Sequence, residues 1–346
     1  METLYIKVDE KNPEIDKIRI AAEIIKKGGL VAFPTETVYG LGANALDEKA
    51  AIKIFEAKKR PQDNPLIVHI QDIKELYLLV KEVPQKAYSL IEKFWPGPLT
   101  LIFEKSERVP NGTTGGLDTV AVRMPDHRVA RLLIRESGVP IAAPSANLSG
   151  KPSPTNAQDV MEDMKGRIDA VIDGGDSKFG VESTVLDLTG DIPIILRPGG
   201  ITKEELEEVL GRVQVEDAIS GIEKPKSPGM KYRHYSPKAE IYLIVGEIPL
   251  QIKKIKELAK EFERKGFKVG ILATAQTRKE YFGENVISAG DRDAPLTISS
   301  NLFSLLRKFD RMGVDVILAE GIPETGLGLA VMNRLKRASG NRIIKA

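Results

Sequence analysis

The spacing of apolar positions changes period several times along the chain, most densely between Leu30 and Ile70. Leu30-Val-Ala-Phe33 is a short apolar run ended by Pro34, and Thr-Glu-Thr-Val-Tyr then carries the chain into Gly40 and Gly42. This predicts a buried strand entering a functional loop. Asp47 is placed to cap a helix running to about Lys59, in which Ala51, Ile54 and Phe55 have the i, i+3, i+4 spacing of a buried stripe. One more step along the stripe lands on Lys58, where a lysine commonly favours the helix dipole and reaches out to water. Arg60 follows, and Pro61 biases it out of helical geometry, so two cations project from one helix end. Leu66 to Ile70 reads as a strand with Ile67 and His69 on one face.

Helical stripes recur over residues 14–27, 73–80, 85–94, 128–137 and 156–164, and strand patterns over 99–104, 119–124, 139–143, 170–173, 181–188 and 192–196. Residues 111–117 read as a Gly/Thr-rich loop. Along 119–124, Thr119, Ala121 and Arg123 face one way and Val120, Val122 and Met124 the other. Ser183, Val185 and Asp187 likewise share a face. Thr202 and Glu205 make a capping box for a helix to Leu210, closed by Gly211. Strands as frequent as helices predict a mixed α/β or α+β domain over residues 1–217. Residues 218–238 have linker composition, with Pro225, Pro228 and Pro237 around Tyr232-Arg-His-Tyr235. Over 239–346, strands near 241–245, 268–273, 286 and 314–319 alternate with helices over 250–265, 299–312 and 327–337, which predicts a small open parallel sheet. Gly326-Leu-Gly328 reads as a tight turn more than a phosphate cradle, because the third glycine is absent.

Composition narrows the chemistry. The 346 residues are 42% hydrophobic and 29% charged, the balance of a soluble globular protein of two domains. The net charge of +2 gives no global field for nucleic acid. Without cysteine there are no disulfides, thiolate nucleophiles or thiolate metal sites, and His69, His127 and His234 are too scattered for a transition-metal cluster. No run approaches the roughly 20 apolar residues of a membrane span, so a cytoplasmic protein is expected. What remains is a set of cations (Lys58, Arg60, Arg123, Arg197), hydroxyls (Thr35, Thr119, Ser145, Ser153, Ser183), the amides Asn64 and Asn147, and His69. Arg123, inside a largely apolar strand, calls for either an acid or a ligand. The set suits phosphate chemistry in which the substrate attacks and the protein positions and neutralises. It equally suits passive binding of a nucleic-acid backbone.

Pro34-Thr-Glu-Thr-Val-Tyr-Gly-Leu-Gly42, Lys58-x-Arg60 with Asn64-Pro-Leu66, Pro144-Ser-Ala-Asn147, and Pro228-Gly-Met-Lys-Tyr-Arg-His-Tyr-Ser-Pro237 occur in that order. Together they resemble the threonylcarbamoyl-AMP synthase family in its long form, over essentially the whole chain. The resemblance implies an α/β fold: a YrdC-like mixed twisted-sheet catalytic domain, a linker that acts as a lid, and a smaller Rossmann-like α/β C-terminal domain. It implies that N-carboxy-threonine, formed from L-threonine and bicarbonate, attacks the α-phosphorus of ATP to give threonylcarbamoyl-AMP and pyrophosphate. A downstream tRNA threonylcarbamoyl-transfer complex would then modify the adenosine next to the anticodon. Lys58 and Arg60 would be catalytic, neutralising phosphates with Mg2+ carried on ATP. Asn64, Thr119, Ser145, Asn147, Ser153 and Arg197 would join them on ATP, with His234 and Tyr235 reaching back over the nucleotide. Arg123 would pair with the threonine carboxylate, and Thr35, His69, Ala143 and Ser183 would shape the amino-acid pocket. A weak tRNA contact is a further expected partner; the alternatives are an RNA-binding module whose basic concave face holds tRNA or double-stranded RNA, which the small net charge disfavours, and a carbamoyl-transfer domain, whose usual zinc-finger and acylphosphatase neighbours are missing here.

Overall fold

The computed structural model describes residues 2–216 and 234–346. Most of the expected linker, including Tyr232 and Arg233, lies outside the described residues. The chain divides into two compact units, Met1–Ser149 with Ser153–Tyr232, and Gly150–Pro152 with Arg233–Ala346.

The first unit runs β1 (Leu4–Lys7), α1 (Ile15–Lys26), β2 (Val31–Phe33), β3 (Gly40–Asn44), α2 (Glu48–Lys58), β4 (Ile67–His69), α3 (Ile73–Leu79), α4 (Gln85–Phe94), β5 (Leu99–Glu104), α5 (Asn111–Thr114), β6 (Thr119–Arg123), α6 (Arg128–Ser137), β7 (Ile141–Ala142), α7 (Ala157–Met164), β8 (Ala170–Asp173), β9 (Thr184–Asp187), β10 (Ile194–Arg197), α8 (Lys203–Leu210) and β11 (Gln214–Val215). The strands form one 11-stranded mixed sheet in the order β1-β8-β2-β3-β7-β4-β6-β5-β9-β10-β11. Two expectations for this unit need correction. The segment expected to stay a loop through Gly40 and Gly42 becomes β3, antiparallel to β2. Glycine is required there by packing: a Cβ on Gly42 would lie 2.7 Å from Ile141 Cγ2 and 2.8 Å from Phe33 Cε1. The Gly/Thr-rich loop contains the single turn α5, ended by Gly115 in left-handed conformation.

The helix ends follow the sequence. Asp47 accepts from the Lys49 and Ala50 N–H groups, and Thr202 with Glu205 closes the capping box of α8. The main core, including Ile54, Phe55, Val68, Leu101, Val120 and Val122, fills one face of the sheet. On the opposite face, α1 and α6 cover β1, β8 and β2 through Ile18, Ile25, Val129 and Leu133. Further along that same face lies a small separate cluster, Ile67, Ile102, Ala121, Val185 and Leu196. The two clusters share a face because Ile141, which packs under α1 and α6, is the register partner of His69.

The second unit runs β12 (Glu240–Val245), α9 (Ile248–Arg264), β13 (Val269–Ala273), β14 (Val286–Ser288), α10 (Pro295–Met312), β15 (Val316–Glu320), α11 (Leu327–Ala338) and β16 (Ile343–Lys345). Its five-stranded sheet, β14-β13-β15-β12-β16, is parallel throughout. This is the expected open parallel sheet, with the edge strand β16 in addition. α10 starts at Pro295, earlier than its apolar stripe suggests, because proline suits the first helical position. Gly326 has φ +53, and a Cβ on Gly328 would sit 2.2 Å from Pro323 O, so this pair makes a tight turn.

Candidate functional site

The register of β4, β6, β5, β9 and β10 sets out the site. His69 pairs with Arg123, Arg123 with Thr100, Thr100 with Val185, and Val185 with Arg197, so one row of side chains crosses five strands on the face opposite the main core. Ile67, Ala121 and Ile102 make the next row, and Thr119 lies beyond it. Thr119 lies four positions along the strand from Arg123, about 13 Å at roughly 3.3 Å per residue.

Arg123 is buried, with 3% of its surface exposed. Its Nε donates to Gly97 O (3.3 Å) and its Nη1 to Thr37 Oγ1 (2.9 Å). Its Nη2 lies 2.5 Å from Glu36 Oε1 in a buried ion pair. The acid that the strand arginine called for therefore comes from the loop between β2 and β3. Thr35 organises that loop: its hydroxyl donates to Val38 O (2.6 Å), accepts from the N–H groups of Thr37 and Val38, and touches Thr37 Oγ1 (2.9 Å). His69 is pushed down to about 3 by burial first and the Arg123 charge second, so the ring is neutral beside the guanidinium. Its Nδ1 lies 3.2 Å from Ile67 O, and Phe33 meets its ring edge-on. Ser183 Oγ pairs with Thr100 Oγ1 (2.7 Å), while Arg197 donates from Nε to Ser183 O and from Nη2 to Ser183 Oγ, both at 3.1 Å. Gly199 permits this corner, since a Cβ there would lie 2.2 Å from Thr184 N.

The second group gathers toward the amino ends of β4 and β6. Lys58 does not reach water: it is 2% exposed, and its ammonium donates to the carbonyls of Ser145 and Asn147, the latter at 2.6 Å. Ser145 Oγ donates to Asn147 Oδ1 (2.6 Å). Arg60 donates to the carbonyls of Asn64 (3.3 Å) and Pro65 (3.4 Å), with its guanidinium over Phe55. The Asn64 side chain is fully buried, yet neither of its polar atoms has a hydrogen-bond partner among the described residues. Such a group awaits a ligand or water. Ser153 donates to Glu182 Oε1 (2.6 Å). Backbone pairing joins the two groups: Gly40 bridges to Ser145, Ala146 N–H donates to Tyr39 O, and Ala143 N–H donates to Ile67 O (2.8 Å).

Within this unit the structure thus brings Thr35, His69, Arg123 and Ser183 to one end, and Lys58, Arg60, Asn64, Ser145 and Asn147 to the other. Arg197, grouped with the phosphate ligands on sequence, stands in the row of Arg123. His234 and Tyr235 belong to the second unit, where the Tyr235 ring stacks on Phe303 (5.1 Å) with Arg334 over it. Sequence reasoning missed Glu36, Thr37, Thr100, Glu182 and His127 as site residues. Both ring nitrogens of His127 are buried with no hydrogen-bond partner among the described residues, and burial holds it below the usual histidine range against the pull of Glu36 and Asp126. The available signal for Glu36 was an acid in a loop that follows a buried strand.

Residues 23–199 match the family model described as telomere recombination, and residues 201–340 the one described as the threonylcarbamoyl-AMP synthase C-terminal domain. Threonylcarbamoyl-AMP synthase of Pyrococcus abyssi is 56% identical, with 99% of each chain covered, and that of Bacillus subtilis is 51% identical over 97% of each. A crystal structure of P. abyssi Sua5 complexed with L-threonine superposes with a TM-score of 0.95 at 55% identity, covering 99% of this chain and 100% of the other. Continuous likeness across both units, in sequence and in fold, means that the chain belongs to the threonylcarbamoyl-AMP synthase family.

Proposed function

We propose that this chain condenses L-threonine, bicarbonate and ATP into threonylcarbamoyl-AMP and pyrophosphate, which serves the threonylcarbamoyl modification of the tRNA adenosine next to the anticodon. The observation that carries the reading is the two-ended face of the first unit: a buried arginine at one end, and a lysine, an arginine and an unpartnered amide at the other. Arg123 takes the threonine carboxylate in the paired geometry of a guanidinium, sharing its charge with Glu36. Neutral His69 and the Thr35 loop enclose the rest of the amino acid. The carbamate oxygen of N-carboxy-threonine forms a bond to the α-phosphorus, the bond to the β-phosphoryl oxygen breaks, and pyrophosphate leaves with that electron pair. Lys58 and Arg60 neutralise the charge that develops, while Asn64, Thr119, Ser145, Asn147 and Ser153 hold the nucleotide and Arg197 reaches it from the Ser183 corner.

The donors at the phosphate end are cations, hydroxyls and amides, and among the described residues no cluster of three or more His, Asp or Glu could hold a metal. That set fits Mg2+ arriving on the ATP phosphates, where it supplies further charge neutralisation. The resemblance assigns His234 and Tyr235 to the nucleotide, and the aromatic and cationic cluster in the sequence of residues 228–237 supports a lid that keeps water from two labile species. Among the described residues no helix is long and apolar enough to cross a membrane, and we assign the reaction to the cytoplasm. Incubation with threonine, bicarbonate, ATP and Mg2+ should release pyrophosphate only when all four are present. Release independent of threonine and bicarbonate would defeat the proposal, and full activity after deletion of residues 228–237 would defeat the lid.

A further inference from the structure

In the second unit, β12 leads through α9 to β13 on one side, while β15 leads through α11 to β16 on the other. β12 and β15 are neighbours, so the chain leaves two adjacent parallel strands in opposite directions, and right-handed crossovers send the two helices to opposite faces. A crevice opens at such a switch point beyond the carboxyl ends of the strands. Here it is a cavity of about 320 Å³, lined by Val245 to Ile248 and Gln251 from the β12–α9 turn, by Gly321 to Glu324 after β15, and by Arg292 and Met332.

The crevice is built. Gln251 is 3% exposed, and its amide donates to Gly246 O (2.7 Å) and Gly321 O (3.3 Å) while accepting from Gly321 N–H (3.1 Å), which fixes the two loops against each other. Glu320, at the end of β15, is buried and accepts from the hydroxyls of Thr274 (2.9 Å), Thr277 (2.8 Å) and Tyr281 (2.6 Å). It anchors Arg292, whose side chain is only 9% exposed, through a 3.3 Å ion pair, and Arg292 Nη1 donates to Gly321 O (2.9 Å). Arg292 Nε is buried with no partner among the described residues, on a side chain that lines the crevice. The crevice also holds the start of the 17-residue helix α9, where Pro249 has no N–H, the Leu250 and Gln251 N–H groups donate to Glu247 O, and the Ile248 N–H has no acceptor among the described residues.

We propose that this crevice binds a small phosphorylated, hydroxyl-bearing ligand of nucleoside-monophosphate size. The phosphoryl group meets the Ile248 N–H at the α9 amino terminus and Arg292 Nε–H. Of the carboxylates that line the crevice or anchor Arg292, Glu320 is paired with Arg292 and Glu324 with Lys336 (2.6 Å), while exposed Glu247 is placed to accept from ligand hydroxyls. A bare anion gains nothing from Glu247, so the site favours a sugar phosphate or nucleotide over inorganic phosphate.

Hydrogen–deuterium exchange of the full chain tests this, because it separates the crevice from the first unit. AMP at millimolar concentration should slow exchange in residues 245–251 and 320–324, with adenosine and inorganic phosphate less effective. Ile248→Asp adds an acidic residue to the first turn of α9, which favours the helix, yet it sets a carboxylate against the phosphoryl group. It should keep the wild-type circular dichroism and melting curve and weaken AMP protection by roughly tenfold or more. Absence of protection by AMP, equal protection by adenosine or phosphate, or undiminished protection in Ile248→Asp would each overturn the proposal.

Discussion

A buried ammonium is costly unless its protons are satisfied, and Lys58 is placed against two carbonyls of the turn that follows β7. In the proposed reaction, incoming phosphates find it held in position. In Lys58→Ala, pyrophosphate release should fall by about 100-fold or more. Threonine affinity, read by calorimetry, should stay within about twofold of wild type, because Arg123 is untouched; equal losses in both would contradict the division of the site. Arg123→Ala should instead weaken threonine by about 10- to 150-fold, the equivalent of one charged hydrogen-bonded pair. His69 adds a pH signature. Its folded pKa of about 3 lies below its ordinary 6.5, so the unfolded chain takes up the proton first as pH falls. Its contribution to stability is complete above about 6.5 and is lost progressively toward 3. Between pH 7.5 and 5.5, urea unfolding of His69→Asn should lose about 1 kcal/mol less stability than wild type. At this scale the sequence pointed to the cations through their placement. It did not show Glu36 as the partner of Arg123, because the 86 intervening positions carry no signal that the two meet.

Among the elements, helices with caps were legible, and so was the alternation that puts Thr119, Ala121 and Arg123 on one face. β3 was not, since its glycines lower strand propensity and only packing under Phe33 and Ile141 explains them. Gly42→Ala should cost about 1–3 kcal/mol in urea unfolding as Phe33 and Ile141 are pushed aside. At Gly199 the obstruction is backbone, which cannot rotate away, so Gly199→Ala should displace the Ser183 corner and yield little folded protein. Thr202→Ala, which removes a cap bonded to Glu205 and not to a site residue, should cost about 1 kcal/mol with pyrophosphate release unchanged.

Among the described residues there are two sheets with separate cores. Scanning calorimetry should resolve two transitions, and threonine at a hundred times its dissociation constant should raise only one, by about 2.7 kcal/mol of stabilisation. If threonine moved both transitions together, the units would be energetically coupled.

By itself the sequence determined the class of each unit, most element positions, the helix caps and the residue types available for phosphate chemistry, because periodicity and capping are local properties of the chain. Only the tertiary structure decided that His69, Arg123, Thr100, Val185 and Arg197 stand in one row, and that Lys58 turns inward to a loop residues away. Strand order and register are set by long-range pairing and by which face finds a core. No local pattern encodes them.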